Sequence, residues 1–215
     1  MALAAEIATT SLLSGPLARA GGVTVFDGLP DPRTCQALCD EAYDAYPEAA
    51  RQELAADDHA DGRGGTPARA LSTAGGGPAQ DALYGASWLR DHLSRLCGCA
   101  IAPSGNRGSY SYYVQPGDFL GLHLDVDTCD VTLITVLQDA TDPHDAAGGL
   151  VVYPRHLGAP LGLLRAAAHD GGELIKARPG QSIVILGGLV PHRVQPLGDP
   201  GQRVISALCF RGGAA

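Results

Sequence analysis

Positive charge is scarce in this sequence. Fifteen lysines and arginines face 23 aspartates and glutamates, for a formal net charge of −8, and lysine occurs once, at Lys176. A surface of that sign excludes non-specific nucleic-acid binding, which needs a basic face to displace counterions, and it disfavours anionic membranes. No apolar run approaches the roughly 20 residues needed to span a bilayer. The N-terminus, Met1 to Ala8, lacks a basic region and places Glu6 inside what would be the apolar stretch of a signal peptide, so it is not read as a secretory leader and a cytoplasmic location is expected. Zinc-type cysteine spacing is also missing, because Cys97-Gly98-Cys99 is too short for a knuckle and no second pair matches it. The six cysteines (Cys35, Cys39, Cys97, Cys99, Cys129, Cys209) are then expected as thiols and not as disulfides. Cys35, Cys39 and Cys209 read as small buried hydrophobes, and Cys129 as a site open to oxidative damage. There is no internal repeat.

What is present suits one globular domain over residues 1–215: 45% apolar and 18% charged residues, with enough length for a full core. The 29 glycines and 15 prolines favour many turns and hence β structure. Val23–Phe26 reads as a strand. Asp31-Pro32 supplies an N-cap and a first-turn proline for a helix whose apolar stripe is Cys35, Leu38, Cys39, Ala42, Tyr43 and Tyr46. From about 50 to 80 the chain is polar and glycine-rich and predicts a mobile loop, either a surface insertion or a lid over a substrate. A second helix is expected over about 81–97, stopped by Gly98. Strands follow at 110–115, through His123 and Asp125 after a turn at 116–118, then at 131–137, 148–154, 174–177, 182–191 and 203–210. Helical support in 1–100 and strands over about 101–211 predict a mainly β (α+β) jelly roll.

One motif stands out. His123 and Asp125 are two residues apart, so on an extended strand both side chains leave the same face. A second imidazole, His192, ends the apolar run 182–191. Two histidines and one carboxylate form the ligand set that holds non-haem Fe(II) on one face and leaves the other open. Asp127 is an alternative ligand by the same spacing. Arg203 opens the last strand and offers a permanent, fork-shaped partner for a carboxylate. Arg155 and His156 end a strand and are read as contacts to an anionic substrate or as a solvated strand end. His59, His92, His144 and His169 are assigned no role.

These residues carry a resemblance to the Fe(II)- and 2-oxoglutarate-dependent dioxygenases, most of all the prolyl-4-hydroxylase-like branch. Tyr113 to Asp125 resembles that branch's segment leading into the metal site, with one extra residue before Pro116. Gly148 to Pro154, Pro179 to Leu186, and His192 with Arg203 after ten intervening residues resemble its later elements. The resemblance implies a double-stranded β-helix, iron on His123, Asp125 and His192, and 2-oxoglutarate with its distal carboxylate on Arg203 and Tyr113 beside it. Ascorbate is implied as an accessory reductant. Many relatives carry a serine two residues after the arginine; here Ile205 stands there, and Ser206 falls on the opposite face of the strand. The activity implied is oxidation of a substrate C–H with release of succinate and CO2. Hydroxylation is the first reading, with desaturation, ring closure and epoxidation compatible; halogenation is disfavoured because Asp125 is present. The substrate expected is a small metabolite, such as an amino acid or a natural-product intermediate, together with O2. Three alternatives stand beside it: a peptidyl-prolyl or other protein side-chain hydroxylase, an iron oxidase that does not use 2-oxoglutarate, and a non-catalytic jelly-roll binding protein. The oligomeric state is left open.

Overall fold

A computed structural model describes residues 9–55, 63, 66–167 and 169–213. Helices α1 (Pro16–Arg19), α2 (Pro32–Ala45), α3 (Pro78–Gly85), α4 (Ser87–Cys97) and α5 (Leu161–Ala166) pack around the strands. These are β1 (Val23–Asp27), β2 (Ala50–Leu54), β3 (Arg69–Gly75), β4 (Ile101–Tyr113), β5 (Phe119–His123) and β6 (Val131–Asp139), then β7 (Leu150–Val152), β8 (Glu173–Ile175), β9 (Gln181–Ile185), β10 (His192–Val194) and β11 (Arg203–Gly212). Among the described residues no helix is long and apolar enough to cross a membrane.

Every strand pairing is antiparallel. A long wing runs β1-β9-β6-β11-β4-β3 and a short wing β5-β10-β7-β8. The ladder that joins them sets Arg69 and Ala70 of β3 opposite Leu120 and Phe119 of β5, and the sheet folds over there. The wings meet again where the Thr132 hydroxyl on β6 donates to Asp125, just past β5. The result is the double-stranded β-helix that the resemblance implied, with helices at the N-terminal end.

Alternation explains which face is which. Tyr110 and Tyr112 on β4 point out of the long wing. There the Tyr110 hydroxyl donates to Glu41 (2.6 Å) and the Tyr112 hydroxyl to the Ala42 carbonyl (2.7 Å), both on α2. The intervening Ser109, Ser111 and Tyr113 therefore face inward. Helix α2 starts as expected, with the Asp31 side chain accepting from the backbone N–H groups of Arg33 and Thr34. Gly98 ends α4 at φ 71°, the left-handed cap that glycine adopts without strain.

Two expectations need correction. The segment 50–80 is not a loop throughout. β2 and β3 form a hairpin running from Ala50 opposite Thr73 to Leu54 opposite Arg69, and α3 begins at Pro78. An edge strand tolerates the polar run Arg51-Gln52-Glu53 because one side of it stays in water, and this polarity concealed it. Residues 56–62, 64 and 65, where a lid was envisaged, lie outside the described residues. The second helix is in fact two, because Ala86 takes an extended conformation (ψ 124°) between α3 and α4.

Candidate metal centre

His123 is the last residue of β5 and His192 the first of β10, directly opposite each other in the ladder. Antiparallel pairing thus brings together two imidazoles nearly seventy positions apart, with ring centroids 4.2 Å apart. The Nδ1 of His123 lies 2.8 Å from the Gly121 carbonyl and that of His192 lies 2.9 Å from the Val190 carbonyl. A carbonyl only accepts, so each Nδ1 carries the proton and each Nε2 keeps its lone pair for a metal. Both Nε2 atoms face Asp125 Oδ1, at 3.5 Å and 3.7 Å. A divalent ion with bonds of about 2.0–2.2 Å can bridge such spans. The three residues form the only such cluster of histidine, cysteine or carboxylate groups among the described residues. The donor set, two neutral imidazoles and one carboxylate, fits Fe(II).

Asp125 is held from several sides. Its Oδ2 accepts from the Thr132 hydroxyl and its N–H donates to the Gly187 carbonyl at 2.8 Å. A Cβ on Gly187 would collide with the carboxylate, so glycine is required for this approach. Burial on its own would raise the Asp125 pKa. The polar contacts with His123 and His192 and the bond from the Thr132 hydroxyl outweigh it and hold the carboxyl well below its ordinary value. Burial, with the neighbouring His123, pushes His192 down to about 4. The centre is therefore built to present an anionic carboxylate beside a neutral imidazole. Asp127, the alternative ligand, points away: its side chain is 79% exposed.

Arg203 lies on β11 between Tyr113 of β4 and Asp139 of β6. It shares a face with Ala207 and Cys209, which line the cavity over the cluster. Its Nη1 donates to Asp139 Oδ2 at 2.5 Å, and both side chains are buried. Asp139 was not singled out in the sequence, and it already neutralises the guanidinium. A guanidinium carries five N–H groups, so one acceptor leaves room for a second carboxylate. Tyr113 is buried opposite Arg203, and burial pushes its phenol pKa upward. Ser206 faces the other way and accepts from Gln80 Nε2 at 2.7 Å, as alternation required.

Further residues at the centre carried no readable sequence signal. Arg63 clamps the loop that follows Asp125. Its Nη2 donates to the carbonyls of Val126 (3.0 Å) and Cys129 (2.9 Å), and its Nη1 pairs with buried Asp130 at 2.8 Å. Gly188 leaves room for that guanidinium. The expectation of free thiols is overturned at Cys129 and Cys209, which form a disulfide. Cys209 sits opposite Thr132 in the β6–β11 ladder, and the turn before β6 brings Cys129 to a Cα–Cα distance of 5.0 Å, within the range a disulfide spans. Cys35, Cys39, Cys97 and Cys99 are thiols, and burial raises each of them.

The cavity above the cluster measures about 410 Å³, and its walls include Arg69, Asn106, Ser109, Leu120, Leu124, Val126 and the disulfide as well as His123 and Asp125. Arg155 and His156 lie on a 3-10 turn after β7 and do not line it.

No family model and no curated protein matches the sequence. Solved structures do. A prolyl-4-hydroxylase from Pseudomonas putida superposes with a TM-score of 0.57 at 19% identity, covering 97% of this chain and 100% of that one. A prolyl hydroxylase from Trichoplax adhaerens, in complex with a hypoxia inducible factor peptide fragment, gives 0.60 at 16% identity over 96% and 90%. EctD from S. alaskensis, with 2-oxoglutarate and 5-hydroxyectoine, gives 0.59 at 17% identity over 93% and 77%. With a His–Asp–His facial triad gathered inside its double-stranded β-helix, this chain has the fold of the Fe(II)- and 2-oxoglutarate-dependent oxygenases.

Proposed function

We propose that the protein is an Fe(II)- and 2-oxoglutarate-dependent oxygenase that oxidises, by hydroxylation, a C–H bond of a small metabolite. The observation that carries this reading is the convergence of His123, Asp125 and His192 on one point within this fold. These three would hold Fe(II). Arg203, oriented by Asp139, would take the distal carboxylate of 2-oxoglutarate, with Tyr113 alongside. When bound, iron and cosubstrate supply the oxidation: substrate, O2 and 2-oxoglutarate become hydroxylated product, succinate and CO2.

The chain's own contribution is positioning. The Gly121 and Val190 carbonyls fix the histidine tautomers, and Thr132 occupies one carboxylate oxygen so that the other faces the cluster. The apolar walls of Leu120 and Leu124 limit water above it. A cavity of about 410 Å³ is the size of a small-molecule site, and the fold is shared with EctD, whose structure contains 5-hydroxyectoine. The likeness to two prolyl hydroxylases favours a second reading, in which the substrate is a proline within a protein.

The test is an anaerobic titration with Fe(II) and 2-oxoglutarate, followed by oxygen and candidate substrates while succinate is measured. Asp125→Ala is expected to abolish iron binding and coupled turnover, and Asp127→Ala to leave both near wild type. Succinate release that does not depend on Fe(II), or a wild-type protein that binds no iron, would refute the reading.

A further inference from the structure

We propose that Arg69 anchors a carboxylate of the substrate, which makes the substrate a small aliphatic acid, an amino acid included. The assignment rests on the oxygenase reading above and adds the chemical class that the cavity selects. Arg69 opens β3 opposite Leu120 of β5, at the ladder where the sheet folds from one wing to the other. From there it lines the same cavity as His123 and Asp125.

The guanidinium is oriented but not neutralised. Its Nε donates to the Pro67 carbonyl at 3.2 Å and its Nη1 to Gln52 Oε1 at 3.1 Å. Both acceptors are uncharged. Gln52 is itself braced, its Nε2 donating to Thr73 Oγ1 at 2.8 Å. Four other arginines that pack against the sheet are each paired with a carboxylate: Arg51 with Asp118, Arg63 with Asp130, Arg107 with Asp81, Arg203 with Asp139. Arg69 has none within ion-pair distance among the described residues. Two bonds to neutral acceptors leave three of its five N–H groups, the Nη2 pair among them, for a ligand. A braced fork of this kind matches a carboxylate in two parallel hydrogen bonds.

The rest of the wall sets the remaining chemistry. Leu120, Leu124 and Val126 offer apolar contact, and the one carboxylate, Asp125, is committed to the cluster. Arg69 would thus hold an acid by its charged end and lay its aliphatic chain across the metal-facing floor, where a C–H can be oxidised. The same end group occurs on free acids and on the C-terminus of a peptide, and the volume of about 410 Å³ favours the free acid.

The test uses the full chain loaded with Fe(II) and 2-oxoglutarate. Aliphatic amino acids and simple aliphatic acids are compared with their primary amides and with short peptides ending in the same residue. Two readouts are taken: anaerobic binding by calorimetry, and succinate formed above the substrate-free rate once oxygen is admitted. Free acids are expected to bind and stimulate, and amides and peptides to do neither. Arg69→Gln should weaken acid binding by roughly 10- to 100-fold, the worth of a charge-assisted pair, with 2-oxoglutarate affinity within about 2-fold of wild type. Arg69→Lys, which keeps the charge but not the fork, should fall between them, and circular dichroism checks that both variants fold. Amides binding as well as acids, peptides binding better than free acids, or no acid in the panel binding would overturn the proposal. So would a loss of 2-oxoglutarate affinity in Arg69→Gln that matches its loss of acid affinity, since Arg69 would then serve the cosubstrate. A wild-type protein that fails to bind Fe(II) and 2-oxoglutarate defeats the oxygenase reading itself, a result separate from any of these.

Discussion

Asp139 changes what a substitution at Arg203 means. With both side chains buried and 2.5 Å apart, removing either leaves a buried charge without its partner, which costs about 3–5 kcal/mol. Arg203→Ala is therefore expected to lower stability as well as to raise the 2-oxoglutarate requirement. Asp139→Asn keeps an acceptor while removing the charge, and it should tighten or preserve 2-oxoglutarate binding because one competitor for the guanidinium is gone. Urea unfolding and an anaerobic 2-oxoglutarate titration on both variants separate the two effects. A wild-type 2-oxoglutarate affinity in Arg203→Ala would remove that residue from the cosubstrate site.

His192 also makes a prediction at the residue scale. Its folded pKa, about 4, lies below its ordinary value of 6.5. Between those values the unfolded chain takes up a proton that the folded protein refuses. The stability tied to this group is therefore complete above about pH 6.5 and lost as pH falls toward about 4, by about 3 kcal/mol for a single shift of that size. Denaturant midpoints of the metal-free protein, measured down that range, should fall more steeply for wild type than for His192→Gln. Parallel curves would show that His192 titrates normally.

At the scale of the element, the loop from Val126 to Asp130 has no regular structure of its own, yet it carries the chain from Asp125 to β6. Arg63 holds it through two carbonyls and the Asp130 carboxylate, whose other oxygen accepts from the Gly212 N–H at 2.9 Å. Arg63→Ala strips the partner from a buried carboxylate and should cost about 2–3 kcal/mol. Hydrogen exchange should quicken at Cys129, whose amide donates to the Val126 carbonyl within this loop, while the β6–β11 ladder keeps its protection. Unchanged exchange there would mean that the loop holds itself. The hairpin of β2 and β3 belongs to the same scale: its Gln52 and Thr73 brace Arg69, so a segment that read as a polar loop supplies one wall of the cavity.

Across the whole molecule, the Cys129–Cys209 disulfide closes a loop with a sequence separation of 80 residues. Constraining the unfolded chain over such a length stabilises by about 2–4 kcal/mol. A reductant should therefore lower the urea midpoint of the wild-type protein and leave a Cys129→Ala/Cys209→Ala double variant unaffected. Equal midpoints with and without reductant in the wild type would contradict this. Because both cysteines line the cavity over His123 and Asp125, the same comparison should be made on turnover.

The sequence by itself determined whatever depends on local period and local chemistry. The spacing of His123 and Asp125 predicted that both side chains reach one point, which they do although β5 ends at His123 and Asp125 lies just beyond it; Asp31 and Gly98 marked helix ends, and alternation turned Ser206 away from Arg203. The order of motifs was enough to recognise the fold, and His192 could be named because it closed that order. Only the tertiary structure decided which distant groups meet. The ladder between β5 and β10 sets His192 against His123, and the closure of the wings delivers Thr132 to Asp125. Strand register sets Asp139 beside Arg203 and Cys209 beside Cys129. Arg63 and Arg69 look like ordinary surface arginines in the sequence, because the carbonyls and cavity that give them meaning come from strands elsewhere in the chain. Period is a property of neighbours along the backbone and can be read there. Partnership across a sheet depends on register and on where the sheet folds over, and these emerge only when the whole chain has packed.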